Sequence, residues 1–122
     1  MKFTLATTGV LHAFSAYGDD WVEINGERHT NSLSLMADRA AIPWTDRFEA
    51  LQAADFDLLL TERPELVVFG SGRQFRFPHP RLTQALASAH VGLEVMDTRA
   101  ACRTFNVLAG EGRRVLAAIL LD

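Results

Sequence analysis

A chain of 122 residues with 48% hydrophobic and 22% charged side chains is long enough to bury its own core without disulfides or structural metals, and its composition excludes a disordered, fibrous or repeat protein. A net charge of -3, with no basic run and no stacked aromatics, argues against nucleic acid as a partner. The single cysteine, Cys102, excludes an internal disulfide, so the chain is read as one cytoplasmic domain spanning residues 1–122.

The charge is unevenly spread. Residues 1–62 hold ten acids against four bases, while residues 63–122 hold five acids against eight bases. Eleven of the twelve basic residues are arginine, which suits bidentate anion contacts, although arginine-rich codon usage produces the same bias.

In chain order, Lys2 followed by Phe3 to Leu11 imitates the start of a secretory signal, but Thr4, Thr7, Thr8 and Gly9 interrupt it, and a first strand and turn are predicted instead. No apolar run approaches the ~20 residues needed to span a bilayer. Val10, His12, Phe14 and Ala16 alternate, Gly18-Asp19-Asp20 marks a turn, and Trp21 to Ile24 reads as a strand. Asn25-Gly26 is a type I′ hairpin dipeptide, because both central positions of that turn need positive φ, and Glu27 to Thr30 returns from it. Ser32 to Met36 alternates polar and apolar residues, and Ala41 to Trp44, with Pro43 unable to donate to a ladder, is an edge piece. Both tryptophans, Trp21 and Trp44, are expected to bury against this β-rich half.

From Asp46 the period changes to helical through Phe48, Leu51, Phe56 and Leu59, ending before Pro64. Leu66 to Phe69 is an unbroken apolar run and reads as a buried strand closed by Gly70-Ser71-Gly72. A loop with Phe75, Phe77 and Pro78 leads into a helix starting at Pro80 and stopped by Gly92. Leu93 to Met96 is a strand, and Asp97 or Thr98 caps a helix whose Ala101, Phe105 and Leu108 face the core. Gly110 and Gly112 allow a left-handed exit into a last strand, Val115 to Leu121. The second half thus reads strand, helix, strand, helix, strand, a pattern of parallel strands whose carboxyl ends favour ligands.

Certain of these runs resemble a known family: Leu66-Val67-Val68-Phe69-Gly70-Ser71-Gly72, then Met96-Asp97-Thr98 with Ala100 to Leu108, then Glu111-Gly112-Arg113-Arg114-Val115. Val22 to Glu27 and Trp44 extend the resemblance over nearly the full length, and Ser71 stands where relatives often carry Thr. The chain resembles a family of small, largely uncharacterised bacterial and archaeal domains that also includes mitochondrial complex I assembly factor three. The resemblance implies an α/β, single-domain layered fold: a mixed central sheet with helices on one side and an additional N-terminal β-hairpin layer. It implies no agreed enzyme activity, and a protein partner in an assembly role.

The candidate site is a pair of carboxyl-end loops, Gly70, Ser71, Gly72 and Arg73 and Asp97, Thr98, Arg99, Cys102 and Arg103; if their strands are neighbours, backbone N–H groups and arginines would converge on a small anion. A dinucleotide fingerprint is excluded because Phe75 stands where a third glycine is needed, and no lysine follows to make a phosphate loop. The competing reading is structural, with the glycines turning, Thr98 capping and the arginines tethering loops. Cys102 between Arg99 and Arg103 has the charge environment of a nucleophile but no local base, and His12, His29, His79 and His90 are scattered, so a small buried hydrophobe is favoured. No residue pair has metal-ligand spacing, and no metal or other cofactor is expected. Glu111 and Arg113 are expected to pair across the Gly112 turn. Phe75 and Phe77 either plug the core edge or, if exposed, form an apolar rim for a partner.

Overall fold

The structure, a computed structural model, describes residues 11–122. The strand expected over 3–11 lies, except for Leu11, outside the described residues.

Three short strands, β1 (Phe14–Tyr17), β2 (Val22–Ile24) and β3 (Glu27–His29), pair antiparallel in that order. The β2–β3 turn is the expected one: Asn25 has φ 50° and Gly26 φ 88°. Trp21 sits on Gly18, where a Cβ would fall 2.2 Å from the indole nitrogen, and the Arg28 guanidinium covers the ring at 3.8 Å.

The main sheet contains β4 (Leu33–Met36), β5 (Arg39–Pro43), β6 (Leu66–Gly70), β7 (Gly92–Met96) and β8 (Val115–Ile119), in the order β5-β4-β8-β6-β7. Strand β6 runs parallel to β7 and β8, while β4 runs antiparallel to β5 and β8. The sheet is therefore mixed, as expected. Every residue of β6 and β8 is buried, which accounts for their uninterrupted apolar sequences.

The helices are shared between the two faces of this sheet rather than confined to one. Val67, Phe69, Leu116 and Ala118 pack against Trp44, Phe56 and Leu59 of α1 (Ala53–Leu59) and Leu86 of α2 (Gln84–Ser88). On the other face Leu66, Val68, Ala117 and Ile119 meet Ala101, Cys102 and Phe105 of α3 (Thr98–Gly110), together with Phe14, Val22 and Ile24 of the small sheet. Strand order explains the division. The β6-to-β7 crossover steps outward and the β7-to-β8 crossover steps back past β6, so two crossovers of the same hand must lie on opposite faces.

Several local expectations are corrected. The polar and apolar alternation of Ser32 to Met36 does not become an alternation of exposure: β4 is covered on both faces, and Ser34, like Ser32 just before the strand, is buried. Ser32 Oγ accepts the Leu121 N–H at 3.0 Å and Ser34 Oγ accepts from Arg39 at 3.2 Å, which satisfies the hydroxyls there. Trp44 buries among the helices, edge-on to Phe56 and Phe69, instead of against the hairpins. The second helix stops at Ser88 and turns at His90 (φ 60°), so Gly92 opens β7 rather than ending a helix.

Candidate functional site

Register places Gly70 level with Met96 on one side and Ile119 on the other, so the loops leaving β6, β7 and β8 emerge together. Gly70 makes the approach possible: a Cβ there would lie 2.9 Å from Ile119 Cδ1, 2.9 Å from Thr98 Oγ1 and 3.1 Å from the Ala101 methyl. The two predicted loops therefore meet.

They meet by bonding to each other. Gly72 N–H donates to Thr98 Oγ1 at 2.9 Å, Thr98 N–H donates to Gly72 C=O at 2.9 Å, and the Thr98 hydroxyl donates to Leu120 C=O at 2.7 Å. Ser71 N–H donates to Met96 C=O at 2.9 Å and Arg73 N–H to Asp122 C=O at 3.3 Å. The cap of α3 is Asp97, whose Oδ1 accepts Ala100 N–H at 3.0 Å. These backbone donors are thus engaged within the fold, and Ser71, Thr98 and Cys102 are buried.

The loop after Gly72 is held by a residue the sequence reading passed over. Arg76 donates from Nη2 to Ser71 C=O at 2.6 Å and to Asp122 Oδ1 at 2.9 Å, and its guanidinium lies 4.5 Å from the Phe48 ring centroid. Ser71 Oγ accepts Arg76 N–H at 3.0 Å and donates to Gln74 C=O at 2.6 Å. On this frame Phe75 and Phe77 stand edge to face, ring centroids 5.1 Å apart, 57% and 68% exposed. The signal available in the sequence was the alternation Phe75-Arg76-Phe77, which sends the arginine inward between two outward rings.

The arginines of α3 reach the small sheet. Arg99 Nη2 donates to Asp19 Oδ1 at 2.8 Å and Arg103 Nη1 to Tyr17 OH at 3.2 Å. Asn106, next on the same helical stripe, donates to Phe14 C=O at 2.8 Å and accepts Phe14 N–H at 3.0 Å. Phe105 completes the seam, edge-on to Phe14 at 5.4 Å. The hydrogen bond and charge of Arg99 hold the Asp19 carboxyl below its ordinary range, and the charge of Arg73 acts in the same direction. Among the described residues Asp19 is thus paired with Arg99 alone. Glu111 and Arg113 do not pair; Arg113 Nη2 donates to Glu65 Oε2 at 2.6 Å.

Burial pushes the Cys102 thiol up from 9.0 to about 12, against a smaller opposing effect from Arg103. A thiol so placed stays protonated near neutrality and is a poor nucleophile. Among the described residues, no group of His, Cys, Asp and Glu side chains is arranged to hold a metal, and no helix is long and apolar enough to cross a membrane.

The model of a family described as a protein of unknown function (DUF498/DUF598) matches residues 14–120. An uncharacterized protein of Rhodobacter capsulatus is 37% identical over 106 residues, covering 85% of this chain and 80% of the relative. The Homo sapiens protein named NADH dehydrogenase (ubiquinone) 1 alpha subcomplex assembly factor 3 is 32% identical over 108 residues, covering 86% of this chain; the chain spans 58% of that relative's length. The crystal structure of a Bordetella parapertussis protein superposes with a TM-score of 0.87 at 33% identity, covering 93% of this chain and 98% of that one.

Proposed function

The chain belongs to the DUF498/DUF598 family of proteins of unknown function, and from that premise we propose that it is a cytoplasmic, non-enzymatic binding module that helps assemble a larger complex. The observation that carries this reading is the exposure of Phe75 and Phe77. Two large rings in water, fixed edge to face on a loop braced from beneath by Arg76, resemble the aromatic anchors that dominate protein interfaces. By similarity to the human relative named as an assembly factor of NADH dehydrogenase, the complex is respiratory complex I. The test is affinity purification of the tagged chain from its source organism with identification of what accompanies it. Complex I subunits or their assembly intermediates should accompany the native chain and be depleted with a Phe75→Ser, Phe77→Ser double variant; recovery of none with the native chain sinks the reading.

A second reading keeps a small-anion ligand at the Gly70 to Arg73 loop and the Asp97 to Arg103 helix start, favoured by Arg99, which already holds one carboxylate, that of Asp19, at 2.8 Å. Such a ligand would have to displace Asp19. Phosphate should then raise the melting temperature of Asp19→Asn more than that of the native chain; no shift in either removes the anion.

A further inference from the structure

We infer that the partner of the Phe75–Phe77 loop is an acidic protein segment carrying an apolar side chain between or beside its carboxylates. This rests on the reading of the loop as a docking surface and adds the chemistry of what docks. Between Glu65 and Glu94 the chain contains no acidic residue, although it is acidic overall, and the same stretch carries Arg73, Arg76 and Arg81. Of the acids on other elements, Asp122 and Glu49 pair with Arg76, at 2.9 and 3.6 Å, Asp19 pairs with Arg99, and Asp57 stands exposed on α1, the helix packed against the Pro80–Leu82 turn that carries Arg81. Arg73 and Arg81 are exposed and make no ion pair among the described residues, and they flank the two rings in sequence on either side.

Along its sequence the loop therefore carries two exposed rings between two exposed, unpaired cations. Carboxylates that approach Arg73 and Arg81 gain attraction, and a basic segment meets repulsion from both. The apolar side chain is needed as well, because exposed ion pairs alone contribute little to affinity. The loop costs little further ordering on binding: Ser71 Oγ, the Arg76 guanidinium and the His79 Nδ1 that accepts Arg81 N–H already fix it at both ends.

The experiment is selection of random peptides displayed on phage against the full chain, the Phe75→Ser, Phe77→Ser variant and the Arg73→Glu, Arg81→Glu variant, with melting curves to establish that all three fold. Peptides enriched on the native chain should be net acidic with an aromatic or aliphatic residue. They should lose at least about tenfold in affinity on either variant, and weaken as salt rises. Enrichment of basic or neutral peptides, no enrichment at all, or equal binding to the charge-reversed variant overturns the inference. So does binding of the native chain to phosphatidylglycerol vesicles with loss on both variants, should no acidic peptide bind, since the ligand is then an anionic membrane surface. The docking reading is separable: if the serine variant loses complex I subunits and the glutamate variant keeps them, docking stands and the acidic partner fails.

Discussion

Thr98 and Gly72 bond each other twice, the threonine amide to the glycine carbonyl and the glycine amide to the threonine hydroxyl, both at 2.9 Å. That reciprocity, with the hydroxyl donating a hydrogen bond to Leu120 C=O at 2.7 Å, ties the ends of β6, β7 and β8 into one knot. Thr98→Val keeps the shape and leaves the Gly72 amide and the Leu120 carbonyl without that partner. It should cost roughly 2–4 kcal/mol in urea unfolding. A loss below about 0.5 kcal/mol would mean that water or a backbone shift replaces both bonds.

The seam between α3 and the small sheet depends on Asn106 and Phe105 rather than on the arginines. The Arg99–Asp19 pair is half exposed and screened by solvent. Asn106 closes two bonds with the Phe14 backbone in a partly buried setting. Asn106→Ala should destabilise by about 2 kcal/mol, while Arg99→Ala should leave the urea midpoint close to that of the native chain. Equal losses would put the arginine on the same footing as the amide.

Cys102 should be chemically silent in the folded state. Its folded pKa of about 12 lies above the ordinary 9.0. A raised pKa contributes stability that is fully present below the ordinary value and lost as pH rises through the folded one. Ellman's reagent should therefore titrate no thiol at pH 8 without denaturant and one with it, and stability should begin to fall above pH 9 by a component absent from Cys102→Ala. Fast native labelling would place the thiol at the surface.

The carboxyls of Asp19 and Glu65 are held below their ordinary range, chiefly by hydrogen bonds from Arg99 and Arg113. Lowered pKa values contribute stability that is present above the ordinary carboxylate pKa and lost as pH falls through the folded one. The melting temperature of Asp19→Asn, Glu65→Gln should lie slightly below the native value at pH 7, and the gap should close under acid. A gap that widens under acid would contradict the assignment.

Much of this was legible because it is periodic. Leu66 to Phe69, the Ala101, Phe105 and Leu108 spacing, and the apolar run from Val115 each encode one element with its neighbours along the chain. Asn25-Gly26 encodes a turn by backbone chemistry alone. The meeting of the Gly70 loop with Thr98 hung on whether β6 and β7 are neighbours, which their sequences leave open and the parallel pairing of the two strands decides. What was not legible depends on partners far away in sequence. Asn106 meets Phe14 across 92 residues, and Arg113 chose Glu65 over the nearer Glu111. The inward turn of Ser34 came from a second covered face that no strand pattern announces. Arg76 became the brace of its loop only because Asp122 folds back beside it.

The position of β8 also bears on how a chain like this emerges from a ribosome. It is the last strand of the main sheet to be made, yet it lies between β4 and β6. Until Val115–Ile119 is synthesised and clear of the exit tunnel, the nascent chain carries two separated sheet fragments, each with an open, apolar edge. The sheet can close only after β8 has emerged, and during that interval those edges are open to other strands.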